Sequence, residues 1–454
     1  MRLQNAKFHF IGIGGIGMCG LAELLHNMGA RVSGSDLSEN ANTDRLKELG
    51  VTVHKGHSAA HVGAADVVVY SSAIRFENPE IAEARARQIP LIPRAEALAE
   101  IMRLKRGIAV AGTHGKTTTT SMTSAVFLKA ELSPTIMVGG RFELIKSTAH
   151  LGSGEWLVAE ADESDGSFHK LSPEIAIITN IDSDHLDHFK TFENLQKSFY
   201  DFALRVPFYG KIIACGDDPI IRSTFVNFPK RILFYGFEET NDLVVSGSGG
   251  RYALHRTDKL LGAKHLVGEF SLKFPGKHNA LNAVAAICAG MAAGIPFAVC
   301  ASGIELFDGV DRRFQFKGEK RGIKVYDDYG HHPTEVRAVL QAFREKYPEN
   351  RLIVYFQPHR YSRTQHCWDD FMTAFKEADE VLLADIYAAG ETPIPGISSE
   401  KLALDLQHKS AKYFMRDETS AQKVMGILKE GDVFVTLGAG DGWKLGIDLL
   451  SVLG

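Results

Sequence analysis

Gly112-Thr113-His114-Gly115-Lys116-Thr117-Thr118-Thr119-Thr120 follows directly on the apolar run 108–111. A short strand that feeds a helix through a tight glycine turn belongs in a parallel α/β sheet, so this one stretch removes most other folds. Glycine lets backbone N–H groups approach phosphate oxygens without a Cβ clash, and the helix N-terminus adds a favourable dipole. Lys116 is then placed to set its ammonium on the outer phosphates of a nucleoside triphosphate, and the Thr117 hydroxyl suits Mg²⁺. The loop is compressed: the usual G-x-x-x-x-G-K-[ST] spacing asks for glycine where Val110 stands.

Apolar runs alternate with helix-length segments along all 454 residues, in three blocks. The first has strand-like runs at 8–13, 31–33 and 66–70, with helical stretches at 17–28 and 43–49. Basic residues 103–106 read as a solvated connection to the second block. That block opens with the glycine turn and continues through strands at 157–160 and 175–179. Ser246-Gly247-Ser248-Gly249-Gly250 reads as a hairpin turn, and a helix starting near Asn279 closes the block. The third begins around Val310, with strands at 323–326, 352–356, 381–383 and 433–437.

Hydrophobic content of 45% and charged content of 23% are those of an ordinary soluble protein. A net charge of −4 argues against a broad nucleic-acid-binding face. Cys19, Cys215, Cys288, Cys300 and Cys367 are odd in number and scattered without a C-x-x-C pair, which fits a reducing cytosol. The run 8–13 is too short for a secretory signal. Residues 281–307 come nearest to a membrane span, but Asn282, Pro296 and flanking glycines make two buried helices the expectation. The expected location is cytoplasmic, with no membrane partner.

Gly12-Ile13-Gly14-Gly15-Ile16-Gly17 is a G-x-G-x-x-G at the end of the first strand, with Asp36 about 20 residues on. Such glycines admit a pyrophosphate and the acid takes a ribose hydroxyl, although a close helix–strand turn uses the same residues. Ser71 and Ser72 follow the third strand, where loops face a ligand; by pattern alone His57 is a surface histidine. Glu160-Ala161-Asp162-Glu163-Ser164-Asp165 ends an apolar strand with hard oxygen donors suited to Mg²⁺. Asn180-Ile181-Asp182-Ser183-Asp184-His185-Leu186-Asp187 repeats the design, with His185 a ligand for a second metal or a phosphate contact.

At Gly276-Lys277-His278-Asn279, Asn279 either caps a helix or faces an adenine together with His278. Asp327-Asp328-Tyr329-Gly330-His331-His332 and Gln357-Pro358-His359-Arg360-Tyr361-Ser362-Arg363 follow strands of the third block. Arginine forks suit carboxylate and phosphate oxygens, and His331 or His332 can shuttle a proton near neutral pH.

Together these stretches resemble the Mur ligases, the ATP-dependent amide-forming enzymes of peptidoglycan assembly. Ser33-Gly34-Ser35-Asp36, Arg312-Arg313-Phe314 and Gly438-Ala439-Gly440-Asp441 extend the match, which runs in family order across essentially the whole chain. The resemblance implies an α/β protein of three domains. Residues 1–105 would form a Rossmann-like UDP-sugar domain, 106–309 a P-loop ATPase-like domain with a mixed or parallel sheet, and 310–454 a Rossmann-like amino-acid domain.

It also implies roles, position by position. Gly14, Gly17, Asp36, His57, Ser71 and Ser72 would contact the uridine diphosphate portion. Gly112, Thr113, His114, Gly115, Lys116, Thr117 and Thr118 would hold the ATP phosphates; Thr117, Glu160 and His185 would ligate Mg²⁺, two ions being expected. His278, Asn279, Arg312 and Asp328 would hold the rest of ATP. His332, Arg360 and Arg363 would lie near the amino acid and the reacting carboxyl, completing a catalytic set with Lys116 and His185. The implied substrates are UDP-N-acetylmuramate, L-alanine and ATP, used by a monomer or homodimer; a murein tripeptide in place of L-alanine is the alternative. The loop Gly139-Gly140-Arg141-Phe142-Glu143-Leu144-Ile145 departs from the family pattern and would lie near the muramoyl group.

Overall fold

The computed structural model describes residues 3–71, 73–164, 166–258 and 262–454, and its strands form three sheets of an α/β protein. Five strands make the first: β1 (Lys7–Ile11), β2 (Arg31–Asp36), β3 (Thr52–Lys55), β4 (Val67–Tyr70) and β5 (Leu91–Pro93). They run parallel in the order β3-β2-β1-β4-β5. The order reverses between β1 and β4, which opens a crevice beyond the carboxyl end of β1, the usual ligand position in such sheets. Asn40 starts the helix Ala41–Glu48 through a capping box with Thr43, and Asn78 with Pro79 starts the helix Pro79–Ala86.

The second sheet is mixed and has ten strands. They are β6 (Arg106–Ala111), β7 (Thr135–Phe142), β8 (Ser147–His150), β9 (Trp156–Glu160), β10 (Ile175–Ile178), β11 (Lys211–Cys215), β12 (Ile232–Gly236), β13 (Leu243–Ser248), β14 (Arg251–Asp258) and β15 (Ala263–Ser271). Their order is β15-β14-β13-β12-β11-β10-β6-β9-β7-β8. β6 lies between β9 and β10, parallel to both, so three consecutive strand ends point the same way. β6 feeds the helix Lys116–Lys129, whose side chains from Thr117 to Phe127 are buried. Its threonine-rich start is a weak helix former, so burial and hydroxyl bonds such as Thr120 Oγ1 to Lys116 O (2.8 Å) sustain it.

The third sheet holds β16 (Gln315–Lys320), β17 (Ile323–Asp328), β18 (Leu352–Phe356), β19 (Glu380–Leu383), β20 (Ala411–Tyr413) and β21 (Val433–Leu437). The order is β16-β17-β21-β18-β19-β20, parallel except for the antiparallel edge strand β16. Along β18, Leu352, Val354 and Phe356 enter the core on one face while Ile353 and Tyr355 enter the core on the other. Burial on both faces is what makes such a strand read as an unbroken apolar run.

The chain divides into two compact units. One comprises Met1–Ser246, Tyr252–Ser271 and Leu281–Asp308; the other comprises Gly247–Arg251, Leu272–Ala280 and Gly309–Gly454. In the second unit, Glu345 accepts N–H bonds from Gly249 (3.2 Å) and Gly276 (3.1 Å), tying the short stretches to the helix Pro333–Lys346.

Residues 281–307 fall in two helices, Lys277–Ala292 and Phe297–Glu305, as the breaking Pro296 indicates. Among the described residues no helix is long and apolar enough to cross a membrane. The turn between β13 and β14 has positive φ at Gly249 and Gly250, the pair of angles that a tight hairpin requires. All five cysteines are free and buried.

Candidate active site

The glycine turn after β1 is stitched to the end of β2. Gly14 N–H donates to Asp36 Oδ2 at 2.9 Å, and a Cβ on Gly14 would meet that same oxygen at 2.9 Å. A Cβ on Gly17 would lie 2.7 Å from Arg94 Nη1, the far end of a side chain that would have to shift. Gly56, just beyond β3, donates its N–H to Asp36 O at 2.7 Å, and His57 follows it with Nδ1 3.0 Å from Ser35 Oγ. Ser71 stands at the end of β4, its N–H bonded to Ile11 O. Gly14, Gly17, Asp36, His57 and Ser71 thus gather at the carboxyl ends of β1–β4. Ser72 lies outside the described residues.

A second cluster forms where β6, β9 and β10 end. Gly112 has φ +138°, and a Cβ there would come 1.9 Å from Thr179 Oγ1. Gly115, with φ +79°, is the left-handed residue that starts the helix Lys116–Lys129. The loop between them is pinned to the segment after β10. Asp182 N–H donates to Thr113 Oγ1 (2.9 Å), His114 N–H to Asn180 Oδ1 (2.8 Å), and His114 Nε2 lies 3.0 Å from Asp182 Oδ2. Lys116 Nζ donates to Gly112 O (2.7 Å), Thr113 O (3.1 Å) and Glu163 Oε1 (2.8 Å). Thr117 Oγ1 donates to Glu160 Oε2 (2.9 Å), which also accepts Gly139 N–H (2.9 Å). His185 holds φ +57° and brings Nε2 to 3.7 Å from Glu163 Oε1. A non-glycine residue in that conformation is a local strain that surrounding structure has to maintain.

Burial works against a charged Lys116, but Glu163, Asp162 and Glu160 together raise its pKa, so it is the charged member of the cluster. Burial also pushes the Glu163 carboxyl up to about 7, with Lys116 pulling it down. Glu163 Oε2 is buried with no hydrogen-bond partner. Glu160 Oε2 with the Thr117 hydroxyl at 2.9 Å, and the orphaned oxygen that Glu163 carries after the same strand, are hard oxygen donors, which is the donor chemistry Mg²⁺ takes. These residues fit the ion.

The second unit carries the remaining predicted residues. Arg312 (φ +61°) donates Nε to Asp327 Oδ2 at 3.0 Å and Nη1 to Gly440 O at 3.0 Å, which fixes its fork against the turn after β21. Asp328 accepts N–H bonds from Phe314 and Gly330, each 2.7 Å. Burial raises its carboxyl to about 6, against the pull of Arg313 and those two donors. Desolvation, then the Arg313 charge, push His278 down to about 4, leaving a neutral imidazole at physiological pH. The helix starts at Lys277, so Asn279 sits in its first turn and donates Nδ2 to Pro275 O (2.8 Å); it is not the cap.

His332 instead caps Pro333–Lys346: its Nδ1 accepts Thr334 N–H, and its Nε2 lies 3.4 Å from Cys367 Sγ. Arg360 (φ +68°) has a buried Nε with no partner, and Arg363 Nη1 lies 3.1 Å from His359 Nδ1. Sequence reading missed Arg94, whose Nη2 reaches Asp162 Oδ2 at 3.4 Å, and the grip of Glu163 on Lys116. Arg94 lies 68 residues from Asp162, and no spacing rule connects them.

Two clusters at the ends of parallel strands, one with a lysine-bearing glycine turn, have the layout of a nucleotide-dependent enzyme, and the chain belongs to the Mur ligase family. Sequence models of that family match in succession: its catalytic domain at residues 7–106, its middle domain at 110–290, and its glutamate ligase domain at 312–440. The UDP-N-acetylmuramate–L-alanine ligase of Bdellovibrio bacteriovorus is 80% identical over 453 residues, covering 100% of both chains. The solved UDP-N-acetylmuramate-alanine ligase MurC of Thermotoga maritima is 28% identical, with a TM-score of 0.82 over 98% of each chain. A murein peptide ligase from Psychrobacter arcticus shares the fold at 24% identity, with a TM-score of 0.73 over 99% of each chain.

Proposed function

We propose that this chain joins L-alanine to the lactyl carboxylate of UDP-N-acetylmuramate with consumption of ATP, a step of peptidoglycan precursor synthesis. One observation carries the ligase chemistry: Lys116, Thr117, Glu160, Glu163 and His185 converge at the ends of three adjacent parallel strands. The substrates follow the full-length relative at 80% identity, and one at 48% bears the same name, so the tripeptide alternative is not favoured. Three working modules, 1–105, 106–309 and 310–454, would divide the labour as UDP-sugar, ATP and amino-acid domains. Free, buried cysteines and nucleotide substrates both suit the cytoplasm.

A carboxylate is a poor acylating agent. Its oxygen therefore takes the γ-phosphoryl group of ATP, releasing ADP and giving an acyl phosphate, and the neutral amine of L-alanine attacks that carbonyl while phosphate leaves. The glycine turn and the helix start at Lys116 receive the phosphates, and the Lys116 ammonium turns from Glu163 to the transferring group. Thr117, Glu160 and His185 would hold Mg²⁺, which would supply positive charge against the phosphates. Arg360 and Arg363 orient the reacting carboxylate and the amino acid, while His278, Asn279, Arg312 and Asp328 hold the remainder of ATP. Gly14, Gly17, Asp36, His57, Ser71 and Ser72 receive the uridine diphosphate.

Phosphate release from ATP, measured with UDP-N-acetylmuramate and each of L-alanine, glycine, L-serine and murein tripeptide, tests the reading. L-Alanine is expected to be preferred. Release with the tripeptide alone would move the acceptor assignment, and silence with all four would remove the ligase reading.

A further inference from the structure

One buried carboxylate in the first sheet's domain faces three imidazoles. Glu80 is fully buried in the first turn of Pro79–Ala86. Its Oε2 lies 3.0 Å from His9 Nε2 and accepts the Ser35 hydroxyl at 2.7 Å. Its Oε1 accepts Ser58 N–H at 3.1 Å and lies 3.3 Å from His61 Nδ1 and 3.4 Å from His57 Nδ1. The ring of His54 stacks on that of His61 at 4.3 Å. Burial opposes ionisation of this carboxyl, but the bonds from His9, Ser35 and Ser58 prevail and hold it down at about 2.

Counting protons fixes the tautomers. An ionised carboxylate only accepts, so the single Ser35 hydroxyl proton points to Glu80. Ser35 Oγ is then the acceptor in its 3.0 Å contact with His57, and the shared proton belongs to His57 Nδ1. The other neighbour of that nitrogen, Glu80 Oε1, also only accepts. A neutral His57 with hydrogen on Nδ1 carries its lone pair on Nε2. The side chain is 11% exposed and stands one residue past Gly56, which is bonded to Asp36 O.

We propose that Glu80 is a positioning residue for the sugar nucleotide. Through Ser35 it fixes His57 as the Nδ1–H tautomer, so that Nε2 accepts a hydrogen bond from a donor on the ligand, the uracil imide N–H or a ribose hydroxyl. The proposal rests on the assignment of His57 to the uridine diphosphate portion made above. A network that served stability alone would leave the ring's tautomer without effect on substrate affinity.

Long-range ¹H–¹⁵N spectra of the full-length protein labelled with ¹⁵N-histidine, at pH 8, read the tautomer; the His57 signals are assigned by their loss in His57→Gln. The wild type should show the Nδ1–H pattern, Glu80→Gln should shift it toward Nε2–H, and Ser35→Ala, which leaves Nδ1 only the longer 3.4 Å contact with Glu80 Oε1, should weaken the Nδ1–H preference. Both variants should raise KM for UDP-N-acetylmuramate about tenfold while kcat and KM for ATP and L-alanine stay within about twofold. Ser35→Ala serves where Glu80→Gln fails to fold, because it leaves Glu80 with His9, His61 and Ser58. A UDP-sugar methylated at uracil N3 that loses the wild-type advantage identifies the imide as donor; loss on ribose deoxygenation identifies the hydroxyl. An Nε2–H pattern in the wild type, or an unchanged KM for the UDP-sugar in folded Ser35→Ala, overturns the proposal. His57→Ala with unaltered KM for the UDP-sugar overturns the underlying site assignment instead, and is told apart because the wild-type spectrum still shows Nδ1–H.

Discussion

Lys116 is held by a carboxylate and two carbonyl oxygens of its own loop, so its ammonium is already aimed into the mouth of β6. Lys116→Ala should lower the rate of phosphate release by at least about 10³-fold, the effect expected if, as proposed, the lysine compensates charge on the transferring phosphoryl group. Retained turnover in a steady-state phosphate assay would overturn the loop assignment. Glu80 makes a different kind of prediction. Its folded pKa of about 2 lies below the ordinary 4.5, so its stabilisation is complete above 4.5 and is lost as pH falls toward 2. The contribution is on the order of 3 kcal/mol. Glu80→Gln should therefore flatten the fall of Tm with pH between about 4.5 and 2 that the wild type shows. An equally steep fall in the variant would mean that groups other than this carboxylate govern that limb. Neither Glu80 nor the lysine's partner was legible from spacing: His9 and Glu80 are 71 residues apart, and Lys116 and Glu163 are 47 apart. The residues that the glycine pattern singled out stand within one turn and its helix start, where chemistry and local backbone coincide.

At the scale of the element, the passage from β6 into its helix depends on a backbone only glycine tolerates. Gly112→Ala would drive a methyl group to 1.9 Å from Thr179 Oγ1 at φ +138°. The expected cost is about 2–4 kcal/mol, measured as a lower urea midpoint with an unchanged m-value. A midpoint equal to wild type would show that the loop has room the geometry denies. Two central strands of the third sheet were legible: β18 lies at 352–356, where its apolar run stands, and β21 at 433–437 likewise. The paired strands β7 and β8 escaped notice, because Gly139-Gly140 and the polar stretch after them break the apolar signal. β16 escaped for the opposite reason, an edge strand of mostly polar residues whose pairing with β17 supplies the order its side chains do not.

Across the whole molecule, three blocks of alternating strands and helices in the sequence correspond to three sheets. What the linear pattern hid is that compactness does not follow chain order. The second unit takes in Gly247–Arg251 and Leu272–Ala280 along with Gly309–Gly454, and Glu345 bonds both short stretches. The fragment Gly309–Gly454 alone should accordingly melt at lower temperature than the same fragment preceded by Leu272–Ala280, as followed by circular dichroism; equal melting would make the short stretches passengers. Such interleaving bears on inheritance as well as on folding. A crossover between two genes near Gly309 would deliver a carboxyl-terminal unit stripped of two of its own segments and matched to a stranger's, so exchange of this part among related enzymes is favoured only when the donor and recipient segments are already compatible.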